Sequence, residues 1–327
     1  MFFYFKKIVV SGIENIPKNK PVLLLSNHQN ALLDALLIAT SIKGYAHYLT
    51  RAGVFKNSFV SGLLRRIQLI PVYRIRDGYG NLINNNEIFE TAADLLNNGN
   101  VVTIFPEGSH DLVRRVRPLS KGFTRIVFKV LDHDPESDLQ LLPIGVNFTD
   151  AKVCPDSTAI YFGKPIAAMK YKKDDRNKAV VELKREMHQA ISQLTTHIPE
   201  DRYDRTLAEL NSINVNFLNP IAVNKCIETR FKSCEAKPKS RMNWLREVLQ
   251  FLLKLNLWLP YGVWKLVVQP KIQEVEFTST FRFAIAITLV PFFLIGIALL
   301  LTIAFSYKIA LLYIIGTLLL ALLTIKI

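Results

Sequence analysis

The sequence predicts an α/β domain, a largely buried sheet flanked by helices, that carries a helical extension and ends in a transmembrane helical hairpin. Three observations predict it. Short apolar runs alternate with helical patterns, the last stretch is almost free of charge, and a Trp- and Lys-bearing segment lies between the two. The apolar runs at residues 22–25, 69–73, 101–105, 141–148 and 160–162 have strand length, and several stop at Gly, Pro or Asn. Helical patterns fall at residues 31–42, 58–66, 82–96 and 122–131, giving the alternation of an α/β fold. Strand order is not readable at this level. Val180, Leu183, Met187, Ile191 and Leu194 recur three or four residues apart, so residues 174–197 form an amphipathic helix that closes the domain.

After Phe281 the only charges are Arg282, Lys308 and Lys326, and there is no acid. Residues 283–305 are long enough to cross about 30 Å of hydrocarbon at about 1.5 Å per residue, and residues 309–325 make a second, shorter run. Two nearly charge-free runs joined by Ser306-Tyr307-Lys308 favour a spanning hairpin over a buried helix pair. Such a hairpin returns the chain to its starting side. The basic excess upstream places the main domain on the cytoplasmic face. The expected domains are 1–197, catalytic; 198–280, a helical extension with an interfacial membrane segment; and 281–327, the hairpin. In the extension, residues 241–271 interleave Leu245, Leu249, Leu252, Leu253, Leu257, Trp258, Trp264 and Val267 with Lys254 and Lys265. Pro260 and Gly262 interrupt any single straight span, which leaves an interfacial segment or a core-packed helix pair.

The formal charge of +14 calls for anionic partners. Nucleic acid, anionic lipid and phosphorylated or acidic-carrier substrates all qualify, but no nucleic-acid motif is present and the tail favours membrane lipid. Cys154, Cys226 and Cys234 lack the close pairing of a zinc site and are expected to be reduced. The N-terminus, MFFYFKKIVV, has neither the order nor the length of a secretory signal.

Four stretches carry chemistry. Ser26-Asn27-His28-Gln29-Asn30-Ala31-Leu32-Leu33-Asp34 follows a strand and opens a helix, where ligands bind in open α/β sheets. A histidine with a carboxylate partner is a general base of fixed tautomer, and Asp34 is the only acid between Glu14 and Asp77. Phe105-Pro106-Glu107-Gly108-Ser109-His110-Asp111 also follows a strand. Its turn exposes backbone N–H groups, Gly108 admits a substrate close to the backbone, and Glu107 can accept from hydroxyls. Lys121 and Gly122 start a helix, a suitable phosphate site. Arg74, just past the run at residues 69–73, suits a phosphate monoester. Arg114, Arg115 and Arg117 would either bind CoA phosphates or an acidic carrier, or form a solvated basic loop.

In this order the four stretches resemble the glycerolipid acyltransferase superfamily, over about residues 8 to 170. The resemblance rests on Asn27-His28 through Asp34, Ile70 to Arg74, Phe105 to Gly108 with Lys121-Gly122, Leu142-Pro143-Ile144, and the closing Tyr161 to Ile166. It implies the mixed sheet of the glycerol-phosphate acyltransferase fold. It also implies transfer of a fatty acyl chain from acyl-CoA or acyl-carrier protein to glycerol 3-phosphate or a lysophospholipid in phospholipid biosynthesis. His28 and Asp34 would be catalytic; Arg74, Glu107, Gly108, Ser109, Lys121 and Gly122 would bind substrate. No cofactor or metal is expected, the acyl donor being a substrate. The family's first block usually separates histidine and aspartate by four residues, whereas five stand between His28 and Asp34. That wider gap, with Gly108 to Asp111, is similar to a subgroup of fungal glycerol-phosphate acyltransferases. On an ideal helix neither spacing puts both groups on one face, so His28 must sit in the loop before the helix. The alternatives are a thioesterase using the same histidine and a silent lipid-binding protein in which the shifted Asp34 has lost His28. Acceptor, donor, chain length and oligomeric state stay open.

Overall fold

The apolar runs assemble into one mixed sheet, with three strands that they did not announce. The computed structural model describes residues 1–42, 44–55, 58–73, 85–238 and 243–327. Its strands are β1 (Phe5–Ser11), β2 (Val22–Ser26), β3 (Ala46–Arg51), β4 (Leu69–Val72), β5 (Val101–Ile104), β6 (Gln140–Phe148), β7 (Asp156–Phe162) and β8 (Ile166–Ala167). They lie in the order β1-β7-β6-β2-β5-β3-β4, with β8 beside β6. β2 pairs in parallel with both β5 and β6, and β3 with both β4 and β5. β6 runs antiparallel to β7 and β8. The unannounced strands are β1, β3 and β8. The first two mix Lys6, Lys7, His47 and Arg51 among apolar residues and so show no continuous run.

The helices of this domain are α1 (Leu32–Ser41), α2 (Ser58–Arg66), α3 (Asn85–Asn97), α4 (Gly122–His133) and α5 (Arg176–Leu194). Alternate residues of a strand face opposite sides, and β2 uses both. Leu23 and Leu25 join the core under α3, α4 and α5, while Val22 and Leu24 join a second core with Leu33, Leu37 and Ile38 of α1. Both faces are thus covered, as a sheet with buried parallel strands requires. All of β2 and β6 is buried. α5 is the predicted closing helix, capped by Asp175 accepting from the Lys178 N–H, and it buries Ala179, Leu183, Met187 and Ile191.

The end of α5 touches the sheet backbone itself. A Cβ on Gly145 of β6 would stand 2.1 Å from the Leu194 carbonyl oxygen, and neither backbone can give way without breaking its own hydrogen bonds. Gly145→Ala should therefore cost about 3 kcal/mol, at the upper end for overpacking. The check is a denaturant titration in detergent.

Beyond α5, α6 (Tyr203–Ile213) and α7 (Pro220–Glu228) enclose a small core of Ile198, Leu210, Val215, Phe217, Val223, Cys226 and Ile227. Cys226 and Cys234 are joined as a disulfide. This corrects the expectation of three reduced cysteines: the turn after α7 brings back a thiol eight residues away, a pairing that sequence spacing alone did not reveal.

The C-terminal part comprises α8 (Asn243–Asn256), α9 (Trp258–Gly262), α10 (Thr278–Ile287), α11 (Leu289–Ala304) and α12 (Tyr307–Lys326). Among the described residues, two helices are each long and apolar enough to cross a membrane: Val275–Ala304, which contains α10 and α11, and α12. The hairpin is anchored at both ends. Phe283 of α10 joins the core around α1, edge-on to Tyr4, while Lys326 at the end of α12 donates to the Phe5 carbonyl at 2.8 Å.

Candidate active site

The carboxyl ends of β2, β5 and β4 point the same way, because the strands from β6 through β4 are mutually parallel. The His28 loop leaves from the end of β2 and the Pro106 turn from the end of β5. β2 and β5 are neighbours, so the His28 loop and the Pro106 turn start about 4.8 Å apart.

Asn27 fixes the first loop. Where β2 stops, the Asn27 side-chain amide takes over the pairing: it donates to the Val146 carbonyl at 2.9 Å and accepts from the Val146 N–H at 2.8 Å. His28 follows in the loop, as its spacing to Asp34 requires. Its ring stacks on Phe105 at 4.1 Å between centroids, and its carbonyl accepts from the Asp111 N–H at 3.0 Å. Nδ1 lies 2.8 Å from Oδ2 of Asp34, which is fully buried in the first turn of α1. The same Oδ2 accepts from the Asn30 N–H at 2.7 Å. The fifth intervening residue therefore does not break the pair. It is absorbed in a kink at Ala31, whose φ of 44° is unusual for a residue with a Cβ and which ends the loop directly before α1. Held on Nδ1 by a carboxylate, the imidazole presents Nε2 as its basic nitrogen. Among the described residues Nε2 has no hydrogen-bond partner, and 11% of the side chain reaches solvent.

The second loop closes against the first. Gly108 adopts φ 74°, the left-handed conformation that suits glycine, with open space where a Cβ would be. Glu107 and Ser109 are both held by Arg117: Nε donates to the Glu107 carboxylate at 2.7 Å, Nη1 to the Ser109 hydroxyl at 2.7 Å, and Nη2 to the Ser109 carbonyl. Burial pushes the Glu107 carboxyl up to about 7, against the opposing pull of Arg117 and of the His28 N–H. The Ser120 N–H donates to the Pro106 carbonyl at 2.7 Å, which ties the start of α4, with exposed Lys121 and half-buried Gly122, to the same turn. His28, Asp34, Glu107, Gly108, Ser109, Lys121 and Gly122 thus belong to one connected set of loops. Arg74 lies outside the described residues. Tyr73 beside it is held at both backbone groups by the Asn85 side chain, at 2.9 and 2.8 Å.

Each of the three arginines of the basic loop after the turn has partners within the protein. Arg114 donates to the carbonyls of Phe148 and Thr149 and stacks on Phe217 at 3.7 Å, Arg115 pairs with Glu200, and Arg117 holds the turn. The role of Arg117 was hidden because its partners lie eight and ten residues back in the same irregular connection, a spacing that no helical or strand period brings together.

A second histidine completes the site. His110 meets His28 edge to face at 5.6 Å and Phe277 at 4.6 Å, and its Nε2 lies 3.5 Å from Glu274. The segment leading into the first long apolar helix therefore touches the wall of the site, a contact spanning more than 160 residues that no local pattern signals. His110, Glu274 and Glu276 each offer a ligand atom within 4.8 Å of the others. Glu274 is exposed and Glu276 half-buried, and His110 is the member of the three that meets His28.

Comparison with known proteins bears on the arrangement. Residues 7–147 match the family model described as Acyltransferase. Among solved structures, the crystal structure of the 1-acyl-sn-glycerophosphate (LPA) acyltransferase PlsC from Thermotoga maritima is similar at 18% sequence identity and a TM-score of 0.40. The similarity covers 56% of this chain and 71% of that one. No curated protein matches the chain. Residues 7–147, the stretch that matches the Acyltransferase family model, carry the histidine–aspartate pair at the carboxyl end of β2.

Proposed function

We propose that the chain transfers a fatty acyl group from a thioester, acyl-CoA or acyl-carrier protein, to the hydroxyl of glycerol 3-phosphate or a lysophospholipid, with His28 as general base. The observation that carries this reading is the 2.8 Å contact between His28 Nδ1 and buried Asp34, with Nε2 left to the substrate. The acceptor O–H gives its proton to Nε2 as its oxygen bonds to the thioester carbonyl carbon. The C–S bond then breaks, and the leaving thiolate takes the proton back from the imidazolium. Asp34 stabilises that imidazolium and holds the ring. Holding the two substrates in contact supplies much of the acceleration.

No acyl-enzyme enters the scheme. Cys154, the one cysteine outside the disulfide, has a thiol pushed up by burial, which disfavours the nucleophilic thiolate. Arg74 and Lys121 hold the acceptor phosphate. Gly108 lets the glycerol end approach the backbone, while Glu107 and Ser109, held in place by Arg117, form its polar wall. The hairpin keeps this site at the surface of the membrane that supplies its lipids, on the cytoplasmic face.

The test is lipid profiling of membranes given labelled acyl-CoA or acyl-carrier protein and a panel of acceptors. Product that forms only with a phosphate-bearing glycerol or lysolipid supports the reading, and free fatty acid formed without any acceptor overturns it in favour of a thioesterase. On the preferred acceptor, Arg74→Ala should raise KM roughly tenfold or more while kcat stays within about twofold, the pattern of a lost ground-state contact. Equal handling of a phosphate-free acceptor by the unaltered protein would remove that role.

A further inference from the structure

α8 and the helical stretch after it are not one span. The two limbs, Trp244–Asn256 and Trp258–Lys271, meet at 98°. The second begins at α9 and continues through a π-helical turn at Val263–Val268. Where these limbs go is fixed by their partners. α8 lies along α12 in the opposite direction: Leu249 accepts from Thr324 near the end of α12, and Asn256 accepts from Tyr313 and Thr317 near its middle, each at 3.3 Å. α8 therefore starts beside the catalytic domain, where Arg246 donates to the Pro155 carbonyl, and descends along the hairpin.

The second limb climbs back. Trp258 meets Phe293 of α11 edge-on at 6.4 Å, and six residues later Trp264 lies under Arg282, which in turn donates to Lys152 of the catalytic domain. By Glu274 the chain is against His110. Both ends thus lie at the domain's level and the bend lies deep.

We infer that residues 243–271 form a re-entrant helix pair, sunk among the acyl chains of the one leaflet that faces the catalytic domain. Thr317 lies about 14 Å along α12 from Lys326 at about 1.5 Å per residue. That sets the bend near the middle of a hydrocarbon layer of about 30 Å. The side chains on the outside of the pair suit that medium. Trp244, Phe251, Leu255, Trp258 and Leu266 are all more than 60% exposed, which a helix pair packed into a soluble core would not leave. The polar groups at depth are satisfied within protein, Asn256 by two hydroxyls of α12. Lys254 is the charged residue nearest the bend, Lys265 standing farther up the ascending limb. α8 descends from its N-terminus and helical side chains lean toward that end, so the Lys254 ammonium reaches back up toward the surface, over the Tyr261 ring at 5.7 Å.

The consequence concerns substrate. The ascending limb ends in the segment that touches His110, and His110 touches His28, so a lipid held in that leaflet lies beside an element whose surface end leads to the base.

Cysteines added one at a time to a Cys154→Ser background, in which Cys226 and Cys234 are joined to each other, test the topology with an impermeant maleimide on sealed vesicles. Val181→Cys, on an exposed face of α5, reports the side of the catalytic domain. Trp244→Cys and Lys271→Cys should label from that same side, and Tyr307→Cys, at the far turn of the hairpin, only after the vesicle is opened. A Trp244→Phe/Trp264→Phe variant leaves Trp258 as the sole tryptophan, whose emission should be lost to lipids brominated at mid-chain and unaffected by aqueous iodide. Labelling of Trp244→Cys and Lys271→Cys from opposite sides would mean that the segment crosses. Quenching of Trp258 by iodide, or by neither agent, would mean that it lies on the surface or inside protein. Labelling of Tyr307→Cys on intact vesicles would remove the hairpin as the depth reference. Each of these overturns the inference.

Discussion

Replacing His28 with alanine should lower acyl transfer by roughly 10³-fold or more, within the range for loss of a positioned general base, while the protein still accumulates in membranes. The size of the effect follows from how the ring is held. His28 is stacked on Phe105, anchored through its carbonyl to Asp111, and paired through Nδ1 to Asp34, so its Nε2 has one orientation to offer. Substrate binding does not depend on it, and KM for acceptor and donor should stay within about threefold. Stability should fall, because the Asp34 carboxylate keeps only the Asn30 N–H and is otherwise buried without a partner. That loss is about 1–3 kcal/mol. Initial rates with labelled acyl donor in vesicles, beside a denaturant titration, measure both. Turnover above about a tenth of the original would end the base assignment.

How much of this was legible in the sequence depends on the distance over which each residue acts. The loops bearing His28 and Glu107 were readable because each follows an apolar strand and carries its own polar cluster. The requirement that His28 precede the helix came from spacing alone, and the structure meets it with the kink at Ala31. The covered sheet was readable from continuous apolar runs such as β2. β1 and β3 were not, since their strand character comes from pairing with β7, β5 and β4 rather than from their own composition. Arg117 read as one of three similar basic residues, and only folding sorts them: Arg114 against Phe217, Arg115 to Glu200, Arg117 to the turn at Glu107. The contact of His110 with Glu274 and Phe277 joins distant parts of the chain. The alternation of Leu, Trp and Lys around Pro260 held the membrane character of that stretch but not its bend, which depends on where α12 receives Asn256.

Asp34→Asn should be nearly as damaging as the loss of His28, at roughly 10²- to 10⁴-fold in kcat, although it changes neither size nor shape. The reason is a proton position. Asp34 Oδ2 accepts from two donors, the Asn30 N–H and the His28 ring. An asparagine can satisfy the Asn30 N–H with its carbonyl, and then turns its NH2 toward Nδ1. Nδ1 must now accept, which places the imidazole proton on Nε2, where the acceptor hydroxyl needs a lone pair. The base is present and facing the wrong way. Because the aspartate acts only through the histidine, the two substitutions should not multiply: in a His28→Ala background, Asp34→Asn should leave the remaining rate unchanged within about twofold. In the same background it should recover part of the lost stability, since a neutral amide replaces a carboxylate that had been left buried without its histidine. A further tenfold fall in the double variant would show that Asp34 touches the substrate directly, and would move it from positioning the base to binding the acceptor.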